Sequence, residues 1–303
     1  MHTIIYDMEE MNMKKIMALA LALVMVLGTL TACGSSNGSD DAGNTATGAK
    51  VIEINLTEEQ YAFGVDKNQP ELLEDVNTFI AKIKEDGTFD AICNKYFGDG
   101  TPEAVVSAEL DESKDQLVVA TNAAFAPFEY TEDGGNTYYG IDMEIAKLLA
   151  DDLGKELVIM DMDFDAVCLN VQQEKCDIAM AGLTITEARK ELVNFSDSYY
   201  DASQQLVVLA GCTDFDACAT AADIETILNE KDASCRIGVQ RGTTGQLYTE
   251  GDEDWGFAGY AVTCVPYANG SLAIQDLLNG GVDYVIIDSA PAAKIVAAIN
   301  AVQ

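Results

Sequence analysis

Histidine is almost absent from this chain of 303 residues. The single histidine is His2, close to the amino terminus and ahead of the apolar leader segment. A mature protein without the leader would therefore hold no Ser-His-Asp triad, no Cys-His pair and no metal site built on histidine. The shortage excludes the most common hydrolase and zinc chemistries.

Positive charge is also scarce. Lysine and arginine total 17 against 51 aspartates and glutamates, which gives a net charge of −34 at pH 7. The negative electrostatic potential of such a protein repels nucleic acid and anionic lipid headgroups. The sequence therefore disfavours a phosphate-binding or nucleic-acid-binding role.

The cysteines include no CxxC pair and no zinc-ligand spacing, although the chain holds eight of them. Seven cysteines remain when Cys33 is set aside. Outside the cell, this odd number would leave at least one thiol unpaired or in an intermolecular bond. Several stand at apolar positions of strands or helices, which favours small buried side chains for most of them. The first disulfides to test are Cys212–Cys218 and Cys235–Cys264. Apart from Cys33, the cysteines are Cys93, Cys168, Cys176, Cys212, Cys218, Cys235 and Cys264.

The leader has a positive start at Met13–Lys15 and an apolar run at Ile16–Leu27, which is too short to span a bilayer. Leu30–Cys33 (Leu-Thr-Ala-Cys) then resembles a lipobox. We therefore expect residues 1–32 to be a lipoprotein signal peptide, Cys33 to be lipidated, and the protein to be held at the extracytoplasmic face of the cell membrane. A plain secretory signal is the alternative. The polar stretch Gly34–Ala49 is predicted to be a flexible tether.

Strands alternate with helices through most of the chain, and hydrophobic residues make up 49% of it. This alternation predicts an α/β fold with parallel sheets. The predicted strands are Lys50–Asn55, Tyr61–Val65, Leu117–Thr121, Glu156–Met160, Asp177–Ala181, Gln205–Ala210, Arg236–Val239, Ala261–Pro266 and Val282–Ile287. Helices are predicted from Pro70 to Gly87, at Phe89–Phe97, from Ile141 to Gly154, and at Asp165–Glu174, Ala222–Glu230, Thr243–Thr249, Ser271–Leu278 and Ser289–Ile299.

A candidate anion site stands at the end of one predicted strand. The stretch Ala181–Tyr200 opens with Gly182, which permits close approach of the backbone, and continues with threonine hydroxyls beside a helix start. Arg189 follows in the first turns of that helix. Helix N–H groups, a hydroxyl and a guanidinium at the carboxyl end of a strand can bind a small carboxylate. The alternative is an ordinary strand–turn–helix with a surface arginine.

The motif GLTITEAR, followed by NFSDSYY, resembles the signature of the polar amino-acid-binding proteins of bacterial ABC importers, the extracellular solute-binding proteins of family 3. The resemblance extends from about Lys50 to the end of the chain. It implies a two-lobed periplasmic-binding-protein-like fold of type II, with each lobe a mostly parallel sheet flanked by helices. It also implies a binding protein rather than an enzyme, with no cofactor and no metal. Its partners would be a free amino acid and an ABC transporter permease, and it is expected to be a monomer.

The resemblance also assigns roles to site residues. Arg189 would grip the ligand α-carboxylate, while Gly182, Thr184 and Asp288 would hold the α-ammonium. As an alternative, Asp288 could merely cap the helix that follows it, although the two roles are not exclusive. The helix start at Thr244 would add N–H groups to the carboxylate from the opposite lobe. Arg189 and Asp288 fall on different lobes, so a bound ligand would favour closure.

Four further residues would surround the ligand side chain. Phe125 and Phe164 match the aromatic walls of the family, and Gln240 is a weaker contact. Asn122 stands where the family often has aspartate, which puts cationic ligands in doubt. Phe128 is expected in the core. The alternating acids Asp161, Asp163 and Asp165 could suggest a calcium loop, but the remaining ligand spacing is missing, so a solvated turn is favoured.

The order of the segments differs from that of the family. Residues 61–98 look like the end of an amino-acid-binding protein, whereas LVVATNAAFAPFEY from Leu117 onward looks like its amino terminus. This implies a circular permutation, with lobe 1 at 60–98 and 117–205, lobe 2 at 50–59 and 206–303, and an irregular linker at 99–116. A domain-swapped dimer that donates Lys50–Gly98 is the alternative. The predicted hinges are Glu58–Tyr61 and Ala202–Leu206.

Two other function classes fit the same sequence. One is a dehydratase-like enzyme on this fold, which needs a carboxylic acid of raised pKa in the pocket, with Glu129 as the nearest option. The other is an extracellular sensor module. The sequence names neither the amino acid nor the permease.

Overall fold

A computed structural model describes residues 48–302, and the structural statements below concern those residues. The predicted signal peptide, the lipidation site Cys33 and nearly all of the tether lie outside this range. The tether is shorter than predicted at its carboxyl end, because Ala49 already belongs to the first strand.

The described chain contains sixteen strands: β1 (Ala49–Ile52), β2 (Glu59–Tyr61), β3 (Gly64–Val65), β4 (Val105–Val106), β5 (Gln116–Thr121), β6 (Ala124–Phe125), β7 (Glu129–Tyr130), β8 (Thr137–Tyr138), β9 (Glu156–Asp161), β10 (Ile178–Ala179), β11 (Asn194–Phe195), β12 (Tyr200–Ala202), β13 (Gln204–Leu209), β14 (Arg236–Gln240), β15 (Thr263–Tyr267) and β16 (Tyr284–Asp288).

Nine α-helices accompany them in the same range: α1 (Pro70–Glu85), α2 (Thr88–Phe97), α3 (Ile141–Leu153), α4 (Val167–Gln172), α5 (Glu187–Lys190), α6 (Ala221–Asn229), α7 (Thr244–Glu250), α8 (Gly270–Leu278) and α9 (Ser289–Ala301). A short 3-10 turn, Phe164–Ala166, precedes α4, where the sequence predicted one continuous helix.

Two five-stranded sheets organise the molecule. One has the order β11-β3-β10-β5-β9, and we call the part built on it lobe 1. The other has the order β1-β13-β16-β14-β15, and the part built on it is lobe 2. Each sheet packs against helices through buried aliphatic and aromatic side chains. The predicted two-lobed α/β fold is therefore confirmed.

The sheets are mixed rather than mostly parallel. In lobe 1, β5 pairs in parallel with β9 and β10, whereas β3 pairs antiparallel with β10 and β11. In lobe 2, β14 pairs in parallel with β15 and β16, whereas β13 pairs antiparallel with β16 and β1. The antiparallel strands are those that the chain enters or leaves when it passes between lobes. They have no helical crossover that would impose a parallel direction.

Helix α1 shows how the sequence pattern sets an element. Pro70 fills its first position, where the missing N–H has no intrahelical acceptor to lose. Val76, Ile80 and Ile83 recur on one face and are buried. Gly87, with a φ of 82°, turns the chain between α1 and α2.

The chain passes twice between the lobes within the described residues. The first crossing contains β2 and the second contains β12, and these strands pair antiparallel, with Tyr61 opposite Tyr200. Strand β2 lies within the predicted hinge Glu58–Tyr61, whereas β12 overlaps the predicted hinge Ala202–Leu206 only at Ala202. Strand β13 joins the lobe 2 sheet at Gln204, two residues before the boundary expected from the sequence. The two crossings form a narrow two-stranded connection, which suits a hinge.

The segment 99–116 is more ordered than the predicted irregular linker. Its strand β4 pairs with β8, and the Ser107 hydroxyl accepts the N–H of Ile159 at 2.8 Å. The segment therefore packs along lobe 1 and adds a layer to it. Sequence reasoning missed this because two valines and one serine are too few to give a period.

All seven cysteines of the described residues are free thiols, so neither predicted pair is bridged. Cys168, Cys176 and Cys235 are buried, and the other four are half-buried. Cys212, Cys218 and Cys264 pack against the same apolar cluster as Cys235. They act as small core side chains, as the sequence favoured. Within residues 48–302 no helix has both the length and the apolar character needed to cross a bilayer.

Candidate functional site

The site lies between the lobes, at the carboxyl ends of parallel strands. Asn122 follows β5, Gln240 ends β14 and Asp288 ends β16. Loops at this edge of an α/β sheet are the usual place for a ligand because side chains from neighbouring strands converge there. The two sheets turn these edges toward each other, because Arg189 and Asn122 of lobe 1 form hydrogen bonds with Gly242 and Gln240 of lobe 2.

Arg189 reaches from lobe 1 to lobe 2. Thr186 caps its helix, α5, and the Thr186 hydroxyl accepts the N–H of Arg189 at 3.2 Å. The guanidinium donates through Nη1 to the main-chain oxygen of Thr184 at 2.7 Å and through Nη2 to that of Gly242 at 3.0 Å. Its Cζ lies 5.0 Å from the centre of the Phe164 ring. These partners are neutral, so the positive charge of Arg189 can still pair with a carboxylate.

The turn at Gly242 brings the lobes into contact. Its φ of 76° lies in the left-handed region, and a side chain at this position would meet the Cβ of Asp165 at 3.0 Å. Glycine is therefore required both by the turn and by the approach of lobe 1. The structure is a closed arrangement of the lobes.

Glu59 in the first crossing collects donors from three directions. Thr57 and Thr184 donate their hydroxyl protons to it at 2.6 and 2.8 Å, and Gln204 donates from Nε2 at 3.1 Å. Because the Thr184 hydroxyl gives its proton to Glu59, its lone pairs face other groups. Thr184 is thus an acceptor, which is what an ammonium group needs.

Asp288 is 5% exposed and accepts a hydrogen bond from the Tyr61 hydroxyl at 2.5 Å. Its side chain does not cap α9, so the alternative in which it serves only as a helix cap is wrong. Burial, reinforced by the nearby charge of Glu59, raises the pKa of Asp288 to about 7. An ammonium group beside it would favour the ionised form.

Phe125 and Gly182 pack against each other in lobe 1. A Cβ at Gly182, whose φ is 52°, would meet the Phe125 ring at 2.9 Å. The Gly182 N–H donates to Asp142 at 2.9 Å, so that N–H is occupied, and the residue contributes by admitting the ring. Phe128 is fully buried, as predicted, and its ring centre lies 6.1 Å from that of Phe125.

Asn122 and Gln240 meet across the cleft. Gln240 donates from Nε2 to Asn122 Oδ1 at 3.1 Å, and Asn122 donates from Nδ2 to the main-chain oxygen of Met162 at 2.7 Å. Thr244 is buried as the first residue of α7, and the Thr243 hydroxyl before it donates to the Gln240 main chain at 2.8 Å. This bond joins the turn before Thr244 to the end of β14.

Two buried acids lie beneath the lobe 1 loops. Glu129 is fully buried, and neither of its carboxylate oxygens has a hydrogen-bond partner within the described residues. Burial raises its pKa well above the usual range. Burial likewise raises the pKa of Asp142 to about 7, although Tyr199 donates to it at 2.6 Å. Burial without a partner favours the neutral form of Glu129, which lies in the core of lobe 1 rather than open to the cleft.

The structure thus places the predicted residues at the facing edges of the two lobes and adds two that sequence reasoning missed, Glu59 and Tyr61. Their segment was predicted as a hinge, without roles for its side chains. The available signal was the two-residue spacing of Glu59 and Tyr61, which puts both side chains on one face of a strand.

Comparisons with known proteins place the chain among bacterial binding proteins. It is 38% identical over 97 residues to the arginine-binding extracellular protein ArtP of Bacillus subtilis (strain 168), covering 32% of this chain and 37% of the relative. It is 30% identical over 174 residues to an arginine-binding periplasmic protein of Mannheimia haemolytica, covering 57% of this chain and 63% of the relative. The chain therefore covers less than two thirds of the length of these relatives.

A solved structure with the same fold is the ancestral amino acid-binding protein AncCDT-1, a precursor of cyclohexadienyl dehydratase. It is 30% identical, has a TM-score of 0.51, and the match covers 61% of this chain and 75% of that one.

The family model of the bacterial extracellular solute-binding proteins, family 3, matches residues 7–99 and 117–284, which is most of the chain. The predicted resemblance is therefore confirmed, and the chain belongs to the bacterial extracellular solute-binding proteins of family 3.

Proposed function

We propose that this protein captures a free α-amino acid between its lobes and passes it to an ABC importer, without catalysing a reaction. The observation that carries the proposal is the placement of Arg189 on lobe 1 and Asp288 on lobe 2 in one closed cleft. A zwitterion is costly to bury unless both charges are paired. Arg189 would take the carboxylate, and Asp288 with the Thr184 hydroxyl would take the ammonium.

The energetics of this arrangement are reasonable. Micromolar affinity requires about −8 kcal/mol. Two charge-assisted contacts and the rings of Phe125 and Phe164 can supply it once the ordering costs are met. Relatives named for arginine binding support an amino acid as the ligand class.

We also propose that the protein is anchored to the membrane through a lipid on Cys33, with residues 34–47 as a tether. Leu-Thr-Ala-Cys after an apolar run supports this. Metabolic labelling with a fatty acid, lost in Cys33→Ala, tests it.

A circular permutation of the family order is the proposed origin of the chain. It is supported by Ala49 and Asn300, which exchange hydrogen bonds of 3.3 and 2.9 Å and so bring the first strand beside the last helix. A variant in which residues 50–98 follow residue 302 through a short linker should fold and bind the same ligand. Sedimentation of the natural protein as a dimer would favour the domain swap instead.

A thermal-shift screen over the standard amino acids, cystine and ornithine tests the proposed function. A ligand that prefers the folded, closed form raises the melting temperature by mass action. No shift with any of them would contradict the proposal. Product formed from a prephenate-like substrate would favour the dehydratase alternative, which the fully buried Glu129 makes less suitable.

A further inference from the structure

The carboxamides of Asn122 and Gln240 form a hydrogen-bond chain with a fixed direction. Asn122 Nδ2 donates to the main-chain oxygen of Met162, and Gln240 Nε2 donates to Asn122 Oδ1. A main-chain oxygen can only accept, so it fixes the nitrogen of Asn122 toward it. The Asn122 oxygen then fixes the nitrogen of Gln240. Gln240 Oε1 is therefore left as an acceptor that cannot exchange places with its nitrogen without breaking the chain.

This acceptor is buried and lacks a donor. Gln240 is 2% exposed, and no group among the described residues donates to its Oε1. A buried carbonyl oxygen without a partner is unfavourable, so such groups in folded proteins are usually satisfied by protein, water or ligand. The closed cleft thus presents an unmet requirement for a donor.

The acceptor stands beside the groups proposed for the amino-acid backbone. Gln240 lies two residues before Gly242, whose oxygen accepts from Arg189. Asn122 lies three residues before Phe125, the proposed aromatic wall. The amide pair therefore spans the same cleft as the contact between Arg189 and Gly242.

We propose that Gln240 Oε1 selects amino acids whose side chains donate N–H hydrogen bonds, such as a carboxamide or a guanidinium. This rests on the proposed function. A side-chain carboxylate would set an acceptor against an acceptor, and the direction of the amide chain prevents Gln240 from rotating to meet it. An aliphatic or thioether side chain would leave Oε1 unsatisfied. The site would then reject a ligand that cannot donate, because Gln240 Oε1 would stay without a hydrogen bond. Such rejection is more selective than fit of shape alone.

Calorimetric titration of the full chain with L-glutamine, L-arginine, L-glutamate and L-methionine tests the proposal. The first two donate N–H groups and the last two do not, while methionine is uncharged and so separates donation from charge. We expect at least one donor to bind about 100-fold more tightly than both non-donors. Glutamate or methionine binding within about threefold of the better donor would overturn the proposal.

Two substitutions test the mechanism. Gln240→Met removes the acceptor at similar size and should reduce the preference for the donor over methionine to less than about tenfold. Asn122→Leu frees the Gln240 amide to rotate and should weaken the rejection of glutamate. An unchanged preference in Gln240→Met would overturn the proposal.

Gln205→Met is a matched control. It breaks an exposed amide pair of the same chemistry, in which Gln205 Nε2 donates to Asn55 Oδ1 at 2.9 Å. The preference should stay intact in this variant, and its loss would overturn the assignment to Gln240.

Failure of the inference and failure of the proposed function give different results. If no amino acid binds the natural protein, both are overturned. If glutamine and glutamate bind equally and both are lost in Arg189→Ala, the proposed function stands and only the role of Gln240 is wrong.

Discussion

The two lobes share an architecture but bring opposite chemistry to the cleft. Lobe 1 contributes the cation Arg189 and the rings of Phe125 and Phe164. Lobe 2 contributes the carboxylate of Asp288 and the main-chain oxygen of Gly242. Neither lobe can neutralise both charges of an amino acid. If the protein binds an amino acid as proposed, binding and closure would be one event, since a ligand that pairs with both lobes is bound fully only when they meet.

The largest effect is expected from the charge on lobe 1. Arg189→Ala should weaken amino-acid binding by about 100-fold or more, because the ligand carboxylate would be buried without a partner. Calorimetric titration measures it. Arg236→Ala, at the exposed start of β14, is the matched control and should bind normally. Undiminished affinity in Arg189→Ala would show that lobe 1 does not bind the carboxylate through this cation.

The charge on lobe 2 should make binding depend on pH. The pKa of Asp288 without ligand is about 7, so below pH 7 its proton must leave before it can pair with an ammonium group. Affinity should therefore rise from pH 5 to pH 7, by up to about tenfold per unit, and level off above pH 7. Titrations at several pH values measure this. Asp288→Asn should bind weakly with a flat profile, and a sloping profile in that variant would contradict the assignment.

The crossing between the lobes should have a smaller effect. In Glu59→Gln, the new amide N–H group can donate to the Thr184 hydroxyl. The hydroxyl then no longer has to donate to residue 59, and its lone pairs are less available to an ammonium group. We expect a loss of about tenfold in affinity, on the scale of one hydrogen bond to a charged group. Glu58→Gln, one residue earlier and exposed, is the control. Equal affinities for the two variants would show that Glu59 has no positioning role.

The smallest effect concerns stability in lobe 1. Burial raises the pKa of Glu129, so the folded state holds a proton that the unfolded state releases, and this contribution to stability declines as the pH rises above about 4.5. Glu129→Gln should therefore gain stability relative to the natural protein as the pH is raised from 5 to 8. Urea unfolding at both pH values measures it. The exposed Glu132→Gln should show no such trend.

Much of the fold could be predicted because it depends on periodic apolar residues and on glycine and proline at element ends. Helix α1 and strand β14 are examples, found within one or two residues of their predicted ends. The antiparallel strand β13 was placed correctly, but its direction in the sheet was not, since direction depends on partners distant in sequence. The layer at 99–116 depends on single contacts such as Ser107 to Ile159, which leave no pattern.

For the site, the motif residues could be predicted and their partners could not. The GLTITEAR motif pointed to Arg189, yet nothing local indicated that it would reach Gly242, which lies 53 positions later. Glu59 and Tyr61 act through Thr184 and Asp288, at separations of 125 and 227. Such contacts arise only when the two sheets face each other.

The bond between Arg189 and the oxygen of Gly242 has a consequence for the movement of the lobes. It joins the lobes through groups of the protein alone, so it would favour the shut form even without a ligand. If the protein serves an ABC importer, as proposed, a permease that recognises only the shut shape would also engage carriers without cargo. ATP would then be hydrolysed at a basal rate that depends on how often the vacant protein closes.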